Sequence, residues 1–115
     1  MVTIMNKKQY KISLIIGLKR EGLPSIPIWQ AEKDIKDYAI SELKYGSLYF
    51  QKGVYVMEST GEIIEEDSAV FYINVDEKDK DTMSYKIICM GKEFKRKYNQ
   101  ESVIYQIEEI NWAFI

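Results

Sequence analysis

The sequence contains no histidine, and this absence removes most of the familiar catalytic arrangements. Histidine is the usual general base near neutral pH, the partner of catalytic nucleophiles and the commonest protein ligand of zinc. Any catalysis by this chain must therefore rely on tyrosine, lysine or carboxylate groups. The missing histidine favours a protein that binds a partner over one that catalyses a reaction.

Only one cysteine is present, Cys89, so no disulfide can form within the chain. A chain without disulfides fits a reducing compartment. Cys89 lies between Ile88 and Met90 in a segment with helical periodicity. We therefore interpret it as a half-buried structural thiol rather than a nucleophile.

Long hydrophobic runs are also absent. The longest candidate, residues 12–18, contains Ser13 and Gly17, whereas a membrane span needs about 20 apolar residues. Lysines precede this run, as in a signal peptide, but Lys19, Arg20 and Glu21 follow it where small cleavage-site residues would stand. We expect a cytoplasmic protein with no membrane partner.

Neither sign of charge dominates, because 16 Lys and Arg face 18 Asp and Glu, which gives a net charge of −2. The chain therefore has no general positive field for DNA or RNA, and it has no glycine-rich phosphate loop. The acidic run from Asp76 to Asp81 is interrupted by Lys78 and Lys80 and lacks the glycine of a calcium loop. We predict neither a metal site nor a cofactor.

Hydrophobic periodicity divides the chain into six elements in the order strand–helix–strand–strand–helix–strand. The predicted elements are strand 10–19, helix 26–43, strand 47–58, strand 68–75, helix 79–98 and strand 102–115. This is the order of a ferredoxin-like βαββαβ sandwich, an α+β fold with a four-stranded antiparallel sheet and two helices on one face. We predict a single domain over residues 1–115, with residues 1–9 as a frayed N-terminal lead-in.

Trp29 lies near the start of the first predicted helix, next to Ile28 in its apolar stripe. Large aromatic side chains dominate core energetics when they are buried. We therefore predict that Trp29 anchors the helix against the sheet.

Tyrosine is unusually common, with nine in 115 residues. If the two helices cover one face of the sheet, strand alternation exposes a second face that carries tyrosines and amides. Such amphipathic side chains suit a protein interface or a ligand platform. The predicted binding residues on this face are Ser13, Tyr49, Gln51, Tyr72 and Asn74.

Two basic segments form a second-choice binding site for an anionic ligand. Lys19 and Arg20 lie in the first loop, and Lys92, Lys95 and Arg96 lie towards the end of the second helix. Each segment also has a simpler interpretation. The first is a solvent-exposed turn, and the second is a helix end whose positive charge complements the helix dipole.

Several short stretches resemble a family of short bacterial proteins catalogued as domain of unknown function 3574. The matching residues are Gly17-Leu18, Trp29, Gly53, Gly61-Glu62-Ile63-Ile64, Glu66, Ser68 and the run from Tyr98 to Val103. The chain departs from the family in lacking an export signal and in carrying Val54-Tyr55 where a tryptophan is expected. The resemblance implies a compact α+β fold and no known activity.

Three functions are compatible with these features. The leading hypothesis is a non-enzymatic binding domain that forms a homo-oligomer through its open sheet face. The second is an oligomeric protein that sequesters a small nucleotide-like signal, as some phage counter-defence proteins do. The third is a small enzyme that works without histidine. Turnover would distinguish the third from the others, and a co-purified ligand would distinguish the second from the first.

Overall fold

The computed structural model describes residues 3–4, 8–111 and 113–114. In chain order the elements are β1 Thr3–Ile4, β2 Gln9–Gly17, α1 Ile28–Tyr38, β3 Ser47–Val56, β4 Ile63–Asp76, α2 Lys80–Lys97, β5 Ile104–Ile110 and β6 Ala113–Phe114. A π-helical turn, Ala39–Leu43, continues α1, and a 3-10 turn, Glu77–Asp79, leads into α2. The predicted order of four strands and two helices is confirmed over residues 8–111.

The main sheet has the strand order β3-β4-β2-β5, and all its neighbours are antiparallel. The register aligns Ile12 of β2 with Ile73 on one side and with Ile107 on the other. This is the order of a ferredoxin-like split β-α-β fold, as predicted. The short strands β1 and β6 pair separately, with Thr3 opposite Phe114.

The core lies between the sheet and the two helices. β2 contributes Ile12, Leu14 and Ile16, none of which is more than 1% exposed. Each such side chain contributes roughly 1.5–3 kcal/mol through its burial. Helix α2 packs closely on this strand, because a Cβ at Gly91 would lie 3.1 Å from Cδ2 of Leu14. The helices add the buried side chains of Ala31, Ile35, Ile87, Met90 and Phe94.

The prediction for Trp29 is wrong, since its side chain is 69% exposed. Helix α1 buries the stripe of Ala31 and Ile35, while Trp29 lies two residues before Ala31. Two residues correspond to about 200° around a helix, so Trp29 points away from the sheet. The buried stripe begins with Ala31 and not with the larger side chains before it.

Two predicted strand boundaries also differ. The strand predicted at 68–75 is part of a longer strand, β4, which has 14 residues and begins at Ile63. The single final strand predicted at 102–115 is instead two short strands, β5 Ile104–Ile110 and β6 Ala113–Phe114, and Asn111 lies outside both. Residues 112 and 115, and most of the predicted lead-in, lie outside the described residues.

The β3–β4 hairpin is longer than the strand beside it and forms an arm. Strand β2 pairs with β4 as far as Gly17 opposite Ser68. Beyond that point β3 and β4 pair with each other from Lys52 opposite Asp67 to Val56 opposite Ile63. We call residues 52–67 the hairpin arm. Its side chains are largely exposed on both faces.

Candidate functional site

The five residues predicted to bind lie together on the sheet face opposite the helices, which we call the open face. The register pairs Ser13 with Tyr72 and Gln51 with Ser68. Paired residues in antiparallel strands point to the same side, so these residues share one face. Leu48, Phe50, Phe71 and Ile73 pack in the core on the other side. The predicted choice of faces is therefore confirmed.

One end of the open face is an aromatic cluster. The rings of Tyr49 and Tyr72 meet edge to face with centroids 6.1 Å apart. Lys11 places its Nζ 4.4 Å from the centre of the Tyr72 ring. A small cavity of about 270 Å³ lies beside this cluster and is lined by Tyr72 and Asn74. Ser13 is only 5% exposed, because it lies in a central strand between Tyr72 and Gln106, and it offers little surface to a ligand.

A second polar group lies where the hairpin arm leaves the sheet. The Tyr55 hydroxyl donates a hydrogen bond of 3.3 Å to Oε1 of Glu66. Lys19 Nζ lies 4.0 Å from the same oxygen. Gly53 pairs with Glu66 across the strands, so the residue directly opposite Glu66 has no side chain. We call Lys19, Tyr55 and Glu66 the arm cluster.

The arm cluster has the electrostatics of a polar, solvent-accessible site. Partial desolvation, followed by the negative charge of Glu66, raises the pKa of the Tyr55 phenol above its ordinary value. The phenol therefore keeps its proton at neutral pH and acts as a hydrogen-bond donor. Both of these contacts to the carboxylate involve Oε1, and the Glu66 side chain as a whole is 41% exposed.

Sequence reasoning did not identify Tyr55 and Glu66 as site residues. The signal was available, because Tyr55 lies six residues after Tyr49 on the same strand and therefore on the same face. Glu66 lies four residues before Val70, the residue paired with Tyr49. The unknown was the register, which decides which carboxylate of β4 meets the tyrosine.

The structure separates the basic residues of the second-choice site. Lys19 joins the arm cluster, whereas Arg20 donates from Nε to the carbonyl of Pro24 at 2.8 Å and closes its own loop. Lys92 and Lys95 line a crevice of about 190 Å³ between α2 and β5. Arg96 is paired with Glu93 on the same helix. Only Lys19 of these residues lies beside the residues of the open face.

A cavity of about 410 Å³ lies on the other side of the sheet, between α1 and β3. Its lining includes Ile35, Ala39 and Phe71 of the core, with Glu32 and Lys36 also contributing. The inner wall of this cavity is therefore apolar and its edge is charged. Among the described residues, no hydrogen bond holds a polar side chain in position inside it. The open face is the stronger candidate for a binding site, because several of its polar side chains lie close together.

Cys89 is half-buried in α2, in agreement with a structural thiol. Among the residues with described positions, no group of three or more acidic or cysteine side chains is arranged to hold a metal ion. No helix in the described ranges is both long and apolar enough to span a membrane.

Comparison with known proteins gives one clear similarity. The chain is similar to a phage SAM lyase in complex with S-methyl-5′-thioadenosine, with 25% identity and a TM-score of 0.67. The similarity covers 92% of this chain and 88% of that one. A phage SAM lyase in its apo state matches at 24% identity with a TM-score of 0.65, over 91% of this chain and 87% of that one.

Other comparisons give no match. No family model matches the chain, so membership of the family of domain of unknown function 3574 stays a prediction. No curated protein matches it either. The chain is thus similar, over nearly its whole length, to a phage enzyme whose structure has been solved with a small adenosine-containing ligand.

Proposed function

We propose that this chain is a small-molecule-binding protein of the phage counter-defence type, which binds S-adenosylmethionine (SAM) and cleaves it to S-methyl-5′-thioadenosine. The observation that carries the proposal is the similarity to a phage SAM lyase over 92% of this chain. It supports the phage counter-defence type of the second hypothesis better than the first hypothesis, a non-enzymatic binding domain. Cleavage of the ligand corresponds to the third hypothesis, an enzyme that works without histidine. We place the protein in the cytoplasm, because a chain with a single cysteine fits a reducing compartment.

The open face offers a strip of suitable length between Tyr49 and the arm cluster. Tyr49 is paired with Val70, and β4 rises about 3.3 Å per residue, so Glu66 lies about 13 Å along the strand from that point. Gln51 and Ser68 form a pair midway along the strip. An adenosine group and an amino acid joined through sulfur fit such a length. Stacking on an aromatic ring is a common way to hold an adenine.

The charges of the strip suit a sulfonium ligand. SAM carries a positive charge on sulfur, and a carboxylate with an adjacent aromatic ring is a favourable environment for a cation. When the bond from sulfur to the amino-acid chain breaks, the bonding electron pair stays on sulfur and the positive charge disappears. Glu66 is the carboxylate of the strip that can take a proton from the carbon next to the one that bears sulfur, and the electron pair of that C–H bond then forms a carbon–carbon double bond in the released amino acid. In a chain without histidine, this role falls to a carboxylate.

The experiment is to incubate the purified protein with SAM and to follow both SAM and S-methyl-5′-thioadenosine by liquid chromatography and mass spectrometry. We expect the thioadenosine to accumulate over many turnovers, with heat-denatured protein as the control. Recovery of intact SAM in a fixed ratio to protein, without turnover, would instead establish sequestration. Absence of both binding and cleavage would overturn the proposal.

Self-association through the open face remains part of the proposal. Tyr49, Tyr55 and Ile104 on this face are each more than 40% exposed. An apolar surface of this kind is favourable to cover, and a second copy of the chain would cover it while enclosing the ligand strip. Sedimentation velocity with and without S-methyl-5′-thioadenosine measures this directly, and a monomer under both conditions would contradict it.

A further inference from the structure

We infer that the ion pair of Lys19 and Glu66 is the receptor for the amino-acid end of the ligand, and that Lys19 determines specificity by binding its carboxylate. This inference rests on the proposed function. The side chains of Lys19 and Glu66 are 52% and 41% exposed. Water screens an ion pair at such a site, so the pair contributes little to fold stability. Both charges therefore stay available to a ligand.

The spacing of the two charges matches a zwitterion. Lys19 Nζ lies 4.0 Å from Oε1 of Glu66, which is a loose contact. An α-amino acid carries its ammonium and its carboxylate on one carbon, so its charges are also separated by one short contact distance. Laid against the pair, such a group meets Lys19 with its carboxylate and Glu66 with its ammonium. Two charge-assisted hydrogen bonds then replace one long ion pair.

The backbone around Lys19 is held in place before any ligand arrives. The amide of Leu18 donates to the carbonyl of Asp67 at 3.1 Å, which fixes the end of β2 against the arm. Gln100 donates from Nε2 to the carbonyl of Lys19 at 3.0 Å. Because the backbone is anchored on both sides, binding needs to order only the lysine side chain. This reduces the entropic cost of recognition.

The arrangement also distinguishes substrate from product. SAM contains the amino-acid end, whereas S-methyl-5′-thioadenosine does not. Once the bond from sulfur to the amino-acid chain has broken, the adenosine fragment no longer gains from Lys19 and Glu66. We therefore expect the thioadenosine product to bind more weakly than a ligand that keeps the amino-acid end.

Two stable probes separate the contribution of that end. S-adenosylhomocysteine carries the zwitterion on an uncharged sulfur, and S-methyl-5′-thioadenosine carries none. By titration calorimetry, we expect the wild type to bind S-adenosylhomocysteine about tenfold more tightly than S-methyl-5′-thioadenosine. A factor of this size corresponds to one hydrogen bond to a charged group. Lys19→Met should remove that preference and leave thioadenosine binding unchanged, while Lys19→Arg should restore it.

Lys52→Met is the matched control. Lys52 is 55% exposed and lies 3.7 Å from Glu65, but strand alternation places it on the other face of the hairpin arm. We expect this variant to keep the preference for S-adenosylhomocysteine. Equal weakening of both probes by Lys19→Met, or a wild type without the preference, would overturn the inference alone. A wild type that neither binds the probes nor cleaves SAM would overturn the proposed function itself.

Discussion

The phenol of Tyr98 donates a hydrogen bond of 2.9 Å to Oδ2 of Asp34, and this contact joins the two helices above the sheet. Tyr98 is 1% exposed, and its ring packs edge to face on Phe94 at 5.3 Å. Lys97 lies 3.6 Å from the other oxygen of Asp34. A buried aromatic side chain thus has both an apolar environment and a partner for its hydroxyl.

Removing only the hydroxyl tests this contact. Tyr98→Phe keeps the ring but leaves Asp34 without its phenol donor, and we expect a loss of about 1.5–3 kcal/mol in the free energy of unfolding, as for a hydrogen bond to a charged group. Urea denaturation followed by circular dichroism measures it. Tyr85→Phe, at a residue 69% exposed, is the control and should change little. Equal stability of the two variants would contradict the assignment.

The same residue predicts a pH dependence. Burial, followed by the contact with Asp34, raises the pKa of Tyr98 well above its ordinary value. The folded state therefore holds this proton more tightly than the unfolded state does. The resulting stability is fully present below the unfolded pKa of about 10 and is lost as pH rises above it. Between pH 9 and about 11, we expect the wild type to lose more stability than Tyr98→Phe, and parallel curves would refute this.

The exposed position of Trp29 predicts a mild mutational effect. Because this side chain is 69% exposed, Trp29→Ala should change the free energy of unfolding by less than about 1 kcal/mol. Phe94→Ala, at a residue 1% exposed in α2, should cost about 3–5 kcal/mol. Chemical denaturation of both variants gives the comparison. A large loss in the free energy of unfolding for Trp29→Ala would show that this side chain is part of the core.

Much of the fold could be predicted from periodicity. The alternation of Ile12, Leu14 and Ile16 identifies a strand, and the spacing of Met83, Ile87, Met90 and Phe94 identifies a helix, because each pattern has one geometric solution. The position of Trp29 was predicted wrongly because hydrophobicity indicates that a residue can be buried, but does not determine which face of the helix points towards the sheet. The buried stripe that begins at Ala31 and continues with Ile35 faces the sheet, and Trp29 lies outside it.

The candidate site was only partly predictable for a related reason. The open face could be predicted because strand alternation separates Tyr49 and Gln51 from Leu48 and Phe50. The arm cluster depends on the register between β3 and β4 and on where β2 ends. A shift by one residue would move Glu66 to the other face. Local sequence patterns do not determine such pairings between residues that are distant in the chain.

The adjacent glutamates of β4 provide a matched test of the proposed chemistry. Glu66 lies on the open face with Tyr55, whereas Glu65 lies on the other face beside Lys52. Glu66→Gln should lower the rate of SAM cleavage at least about 100-fold, as expected for loss of a general base. Glu65→Gln, one residue away, should retain the wild-type rate. Equal effects would exclude a specific role for Glu66.

Tyr49 and Tyr72 provide the final test, because they are the aromatic side chains whose rings meet on the open face. Neither contributes to the buried core, since Tyr49 is 44% exposed and Tyr72 is half-buried. The double variant Tyr49→Ala/Tyr72→Ala should therefore keep its fold. Binding of S-methyl-5′-thioadenosine should weaken by at least about tenfold, as for loss of one stacking side chain.

Circular dichroism, calorimetry and sedimentation velocity together check this prediction. Tyr85→Ala is the control, because Tyr85 is exposed on α2, away from the open face. We expect the double variant also to self-associate less than the control, since aromatic side chains give large contact area at low entropic cost. An unfolded double variant would show that the two tyrosines stabilise the sheet. A folded variant with wild-type ligand binding and self-association would indicate that the binding site lies elsewhere, at the crevice lined by Lys92 and Lys95.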